Sequence, residues 1–502
     1  MRTILMKYLG LIILMVALSN TFCQDSPDTD KITHRPPTVA GAFYPAQADT
    51  IKKWINEYLS LDEPLEVKGD IIGIAVPHAG YVYSGWVAGK AFRELKGRKY
   101  DAVIIISPSH TKAFRGASVF KGDAYVTPLG VAKVDLELSK EIADVFPDVK
   151  FSMDGHSWTD ARSEHALEVQ IPFLQIVQSG TPIVPIVMGT QDFETTDELV
   201  KAIVKSVKKL NRKVLLVASS DLSHFHNQKQ AEKIDSPLVK AFSKLDYFKM
   251  AMNLYQNKWE ACGGAPITVV MMASEQLGAN SANSFLYATS ATSPYTATDT
   301  SKVVGYFSGC LYNDNSGQLK ILPELTEDDR KVILDYAKKS VKSAVLNNPI
   351  EIDNSIISDR LNDEYASFVT LKVDGMLRGC MGQTFTTSSL LNSVIEAGRL
   401  SATRDPRFSP VSEKELDKLE YEVTVLSRMK KILDPEEVVV GRDGVYFRLE
   451  NSGALFLPQV APEQKWDRTE LLENLCRKAR LPMDAYKSTK AELYVFQAMI
   501  ID

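Results

Sequence analysis

Four apolar runs dominated by isoleucine and valine constrain the N-terminal part of the chain most tightly: Ile71–Val76, Ala102–Ile106, Ile183–Val187 and Val214–Ala218. None of them alternates with polar residues, and longer helix-like stretches separate them. Such runs suit strands buried on both faces, so they predict an α/β domain whose sheet is flanked by helices. A further run, Val303–Tyr312, would close that sheet, and the NDNSG segment at 313–317 breaks the pattern. Thr326 then opens a new helix. Asp329 supplies a capping-box pattern, and Ile333, Ala337, Val341 and Val345 share one face. The style changes after it. Val369, Leu371 and Val373 alternate with polar residues before a tight Asp374–Gly375 turn, and Gly444–Glu450 with Ala454–Val460 reads as a second hairpin. The C-terminal part is therefore α+β. The expected boundaries are 35–314 for the first domain, 315–325 for a linker and 326–502 for the second domain.

Residues 1–23 carry Arg2, Lys7 and the apolar stretch Leu9–Leu18, which is the shape of a secretory signal peptide. Residues 24–34 read as a polar linker. The expectation is an exported protein, either periplasmic or anchored to a membrane as a lipoprotein through Cys23. Lys and Arg number 58 against 63 Asp and Glu, a net charge of −5, which gives no basis for nucleic acid as a partner. Five cysteines in 502 residues are too few for a disulfide scaffold.

The placement of the histidines carries the chemistry. Ile71–Val76 runs into Pro77–His78–Ala79–Gly80, Ala102–Ile106 into Ser107–Pro108–Ser109–His110, and Val214–Ala218 into SSDLSH, which holds Asp221 and His224. In an open α/β sheet the carboxyl edge of the strands is where ligands bind. One histidine at such a place is ordinarily a satisfied structural residue. Three at equivalent strand ends, in a chain with only seven, point to a shared site, and imidazole is the commonest side-chain metal ligand. His165 follows Glu164 in a separate segment and is placed nearby. Cys262 precedes Gly263, Gly264 and a helix opened by Pro266. A thiol there is expected to have a lowered pKa from the helix dipole and to serve as ligand or reactive thiolate, the alternative being a small buried hydrophobe. Two imidazoles and a thiolate suit iron, copper or zinc, and softness alone does not choose among them.

At these residues the chain resembles the Memo family. The motifs are AGAFYP at 40–45, PHAGYVYSG at 77–85, PSH at 108–110, EHALEVQIPFLQ at 164–175, SSDLSH at 219–224 and CGGAPI at 262–267. The resemblance implies a fold like the catalytic subunit of class III extradiol dioxygenases, which use non-haem Fe(II). It implies His78, His110 and Cys262 as metal ligands, Asp221 and His224 as catalytic proton-transfer groups, and Glu164 and His165 as residues supporting the ligands. In the dioxygenases a carboxylate stands where Cys262 would be, and a thiolate shifts the site towards copper. The implied cofactor is Fe(II) or copper, with zinc ranked behind them.

From about Thr326 the chain resembles the AMMECR domain family, through LRGCMG at 377–382, DPRFSP at 405–410 and LPQVAPEQKWD at 457–467. The two parts together are similar to proteins B and A of the AmmeMemoRadiSam system, whose third member, a radical S-adenosylmethionine enzyme, is then an expected partner. Arg378, Cys380, Asp405 and Arg407 are the candidate residues of this domain, with the arginines either binding an anion or capping the fold's own carboxylates. Three functions follow in order: a non-haem redox enzyme of dioxygenase type, a non-catalytic binder of metal or of a small-molecule or peptide ligand, and a zinc hydrolase using Asp221 or His224 as base.

Overall fold

A computed structural model describes residues 33–502 apart from 62–65, 160–161, 297–298, 317–320 and 387. The signal-peptide segment, Cys23 and most of the first linker lie outside the described residues. Among those described, no helix is long and apolar enough to cross a membrane.

The N-terminal domain is a nine-stranded mixed sheet between helices. The elements of the large sheet and the main helices around it are, in chain order, α1 (Ala48–Ser60), β1 (Asp70–Val76), α2 (Tyr81–Arg93), β2 (Ala102–Pro108), β3 (Ala117–Phe120), β4 (Val149–Ser152), β5 (Ile183–Met188), α3 (Phe193–Lys209), β6 (Val214–Ser219), β7 (His224–His226), α4 (Gln228–Ser243), α5 (Tyr247–Tyr255), α6 (Gly264–Gln276), β8 (Ser281–Thr289) and β9 (Val303–Asn313). The strand order is β7-β9-β1-β6-β2-β5-β3-β4, with β8 added on β9. The four isoleucine- and valine-rich runs form the parallel centre: β1 pairs with β6, β6 with β2 and β2 with β5. Every residue of β2, β5 and β6 is buried, because helices cover both faces. Ile104, Leu216 and Val269 pack on one face, and Ile105, Val217 and Phe173 on the other. Asp192 caps α3 by accepting from Thr195 N.

The second domain starts with α7 (Glu327–Leu346), whose Thr326–Asp329 capping box forms as the sequence predicts. One sheet has the order β11-β10-β12-β17, from β10 (Ser367–Val373), β11 (Met376–Gly382), β12 (Leu419–Leu426) and β17 (Ala498–Ile501). It is covered by α7 and α8 (Leu390–Thr403). The other has the order β13-β16-β14-β15, from β13 (Lys430–Ile432), β14 (Gly444–Leu449), β15 (Ser452–Phe456) and β16 (Glu492–Phe496), backed by α9 (Arg468–Lys478). The Asp374–Gly375 turn has positive φ at both positions, which a tight two-residue hairpin requires.

The domains share an apolar core. Leu426, Met429, Tyr494 and Phe496 of the second pack into the cluster built on α5 and α6 of the first. Two buried ion pairs cross the same boundary. Lys431, 1% exposed, meets Asp197 of α3, and Arg428 Nη2 is 2.6 Å from Glu275 Oε1 of α6. Tyr247 Oη donates to Glu275 Oε2 and accepts from Lys431 N.

Candidate metal centre

The carboxyl ends of β1, β2 and β6 lie side by side, so the loops that follow them converge. His78, His110 and His165 each present a ligand atom, and these three atoms lie within 4.8 Å of one another. The ring centroids of His78 and His110 are 5.0 Å apart, and those of His110 and His165 are 4.8 Å apart. His78 is buried, His165 half-buried, and His110 faces solvent.

The surrounding hydrogen bonds fix which ring nitrogens face inward. Ser219 Oγ donates to the Ala166 carbonyl at 2.6 Å, so its lone pairs must receive the two remaining neighbours. One is Gln170 Nε2 at 2.9 Å, whose other hydrogen goes to Pro77 O. The other is His78 Nδ1 at 3.0 Å. His78 therefore carries its proton on Nδ1 and turns the Nε2 lone pair into the site. His110 is set in the same way. Its Nδ1 is 3.0 Å from Glu164 Oε1, and an ionised carboxylate only accepts, so Nε2 is the free nitrogen. Glu164 also accepts from the backbone N–H groups of His110, His165 and Ala166. Burial pushes the Glu164 carboxyl up, but these bonds outweigh it and hold it at about 2. Burial, with the neighbouring imidazoles, lowers His78 to about 3 and His165 to about 4. Both rings are neutral at pH 7, the form in which imidazole ligates a metal.

Cys262 borders this cluster from the start of α6. Its Sγ is 3.1 Å from His78 Nε2, and Asp221 N donates to it at 3.3 Å. The three-histidine grouping does not include it. The expected lowering of its pKa is corrected here: burial, and then the Asp221 carboxylate, push the thiol well above its ordinary value, outweighing the backbone bonds at the helix start. The glycine after it is sterically required, because a Cβ on Gly263 would lie 2.4 Å from Ser219 O.

Asp221 is buried, and its Oδ1 accepts from the His78 and Ala79 N–H groups, tying the β1 and β6 loops together. Its Oδ2 is 3.9 Å from His78 Nε2, and burial raises its pKa. Asp221 and His224 do not lie on a common helix. Leu222 N donates to Gly305 O and Gly305 N to Ser223 O, so pairing with β9 takes the chain into the short strand β7 instead. His224 turns Nδ1 to Leu222 O at 2.7 Å and, with Cys262, lines a cavity of about 600 Å³ that also holds Gln191, Tyr255 and Trp259.

Sequence reading assigned no role to Ser219 or Gln170, although both sit inside the quoted motifs. Their signal is position: Ser219 ends β6, and Gln170 lies in EHALEVQ. Glu168 of that motif accepts from Arg35 Nη1 at 2.6 Å, and Arg35 Nη2 donates to the Glu164 carbonyl, which pins the 164–168 segment.

In the second domain the candidate residues fall into two internal clusters. Arg407 makes a two-pronged contact with Asp405, Asp405 accepts from Cys380 N, and Arg378 pairs with Glu415 at 2.7 Å. Cys380 Sγ accepts from Thr370 Oγ1. Both guanidinium groups thus close on the domain's own carboxylates. Cys262, Cys310, Cys380 and Cys476 are all free thiols.

Comparison with known proteins matches residues 35–310 to the family described as Memo-like protein and residues 334–501 to AMMECR1. A MEMO1 family protein of Methanococcoides burtonii is 39% identical over 274 residues, covering 54% of this chain and 97% of the relative. One from Methanobrevibacter smithii is 34% identical over 288 residues, covering 55% and 98%. Among solved structures, an uncharacterized protein of Pyrococcus horikoshii is 32% identical, covers 34% of this chain and 88% of its own, and superposes with a TM-score of 0.31.

Proposed function

The chain belongs to the Memo-like protein family, with an AMMECR1 domain joined behind the Memo domain, and from that premise we propose that it is a redox protein of non-haem, dioxygenase-like type that holds one iron or copper ion. The observation that carries this reading is the convergence of three imidazoles, two of them locked by neighbours in the tautomer that leaves Nε2 free. His78, His110 and His165 would hold the ion, and Cys262, at 3.1 Å from His78 Nε2, is the sulfur donor close enough to join them. Bound there, the ion supplies one-electron chemistry and a place for a small ligand to coordinate.

The remaining work falls to the chain's own groups. Ser219 and Glu164 hold the two ring orientations, and a metal-bound imidazole depends on such partners. Asp221, buried and raised in pKa, can hold a proton on Oδ2 beside the cluster. His224 keeps its Nδ1–H on Leu222 O, which leaves Nε2 to take or give a proton in the adjoining cavity. The volume of that cavity suits a small organic molecule. A radical S-adenosylmethionine enzyme as partner and function outside the cytoplasm are part of the same proposal.

The test is oxygen uptake by the full chain loaded separately with Fe(II) and with copper, using catechol-type substrates. Uptake that depends on the metal and is lost in His110→Gln supports the reading. No uptake with either metal rules out oxidative ring chemistry and leaves a metal-binding role.

A further inference from the structure

A second cavity, separate from the metal centre, lies where the two domains meet. Its volume is about 520 Å³. Both domains build it: Phe248 and Lys258 come from α5 and the loop after it, Phe385 from the loop after β11, and Tyr446 and Arg448 from β14.

Three aromatic rings meet at this cavity. Phe248 and Phe385 stack with centroids 5.5 Å apart and planes 18° apart, and Tyr446 stands edge-on to both, at 6.0 Å and 5.3 Å. Phe385 is 46% exposed, although it is a large apolar side chain on a short polar loop. Exposed aromatic surface in a concave place marks a contact site rather than a core.

The charge of the lining is also distinctive. Four cations, Lys249, Lys258, Arg428 and Arg448, face two carboxylates, Asp246 and Glu364, in a chain whose net charge is −5. The internal pairs leave cationic capacity unused. Lys249 is taken by Glu364 at 2.6 Å. Arg448 gives Nε and Nη2 to Glu492 and lies over the Phe193 ring at 4.4 Å, with Nη1 outside the Glu492 pair. Lys258 is exposed. Arg428 is 8% exposed, pairs through Nη2 with Glu275 and leaves both Nε and Nη1 without a hydrogen bond, so two donors on the cavity wall are unsatisfied.

We propose that this interdomain cavity binds a small organic anion bearing a planar aromatic ring, the ring against Phe248, Phe385 and Tyr446 and the anionic group towards Lys258 and Arg448. Aromatic faces favour offset or edge-on partners, and a guanidinium pairs with a carboxylate or a phosphate through charge-assisted hydrogen bonds. Each half of the site, the rings and the cations, draws on both domains, which gives the fusion a ligand-binding consequence. The site needs no metal and stands or falls apart from the redox reading.

The experiment is isothermal titration of the metal-stripped full chain with matched probes: 2-naphthoate and adenosine monophosphate as ring plus anion, 2-naphthol as ring alone, and acetate and inorganic phosphate as anion alone. At least one ring-plus-anion probe should bind about tenfold or more tighter than either of its halves. Naphthoate above the nucleotide identifies a carboxylate ligand, and the reverse order a phosphate ligand. Lys258→Ala and Phe385→Ala change solvent-exposed side chains, so both should fold, and each should weaken the binding about tenfold. The proposal is overturned if no ring-plus-anion probe binds, if the halves bind as well as the whole, or if both variants bind as the wild type does.

Discussion

Replacing Glu164 by glutamine tests how the site is held before any metal arrives. The carboxylate takes four hydrogen bonds: the His110 ring, and the backbone N–H groups of His110, His165 and Ala166. The drop of its pKa from an ordinary 4.5 to about 2 corresponds to about 3 kcal/mol in favour of the charged form. Glutamine keeps the shape but loses the charge. One of its two ends is an NH₂ group, and either placement sets that donor against a backbone N–H, so at least one bond is lost. The His110 ring then loses its anionic partner, the restraint that keeps Nε2 directed inward. Loss of such a partner lowers metal affinity by about 10- to 100-fold, or about 1.4–2.7 kcal/mol. Competition between the full chain and a chelator of known affinity measures this, and circular dichroism checks that the variant is folded. Wild-type affinity in a folded Glu164→Gln protein would refute the argument that this carboxylate orients His110.

Substitutions at three other places probe the frame of the fold. Lys431→Ala strands Asp197 in the domain boundary with Lys201 as its remaining partner, so a loss of about 3–5 kcal/mol is expected, read as a lower urea midpoint. The double variant Lys431→Met with Asp197→Leu should recover most of that loss, and failure to do so would mean that the pair itself stabilises the docking. Gly263→Ala drives a methyl group against Ser219 O and Ser220 Cβ, so α6 must shift; a cost of about 1–3 kcal/mol and weaker metal retention should appear together in thermal unfolding and chelator competition. His156 is buried, accepts from Tyr125 Oη and donates to Ser118 O, and burial lowers its pKa to about 3. The unfolded chain binds this proton near pH 6.5 and the folded chain does not, so the folded state loses stability as pH falls below about 6.5. The loss reaches about 2 kcal/mol by pH 5 from this residue alone. His156→Gln should flatten that part of the pH–stability curve, and an unchanged slope would show that the ring is not held neutral.

Much of the scaffold was readable because burial on two faces writes itself into the sequence. The apolar runs became the central strands within a residue or two, and the Thr326 and Asp374–Gly375 signals became a helix cap and a hairpin turn. The convergence of His78, His110 and Asp221 followed from topology, since parallel neighbours place their loops together. The role of His165 did not follow, because it sits on a segment with no strand before it; its place depends on Glu168 and Arg35, which pair across the chain. The raised pKa of the Cys262 thiol is not legible from its place at a helix start, because the residues that bury it and the Asp221 carboxylate are distant in the chain. The docking of the two domains was equally hidden, since Lys431 and Arg428 look like surface cations until Asp197 and Glu275 close on them.

Metal stoichiometry tests the central claim most directly. The full chain is reconstituted with Fe(II) and, separately, with copper, desalted and measured by elemental analysis beside the double variant His78→Gln, His110→Gln. One tightly held ion per wild-type chain and a near-complete loss in the variant are expected. An equal metal content in the two proteins, or none in the wild type with either metal, would contradict that claim.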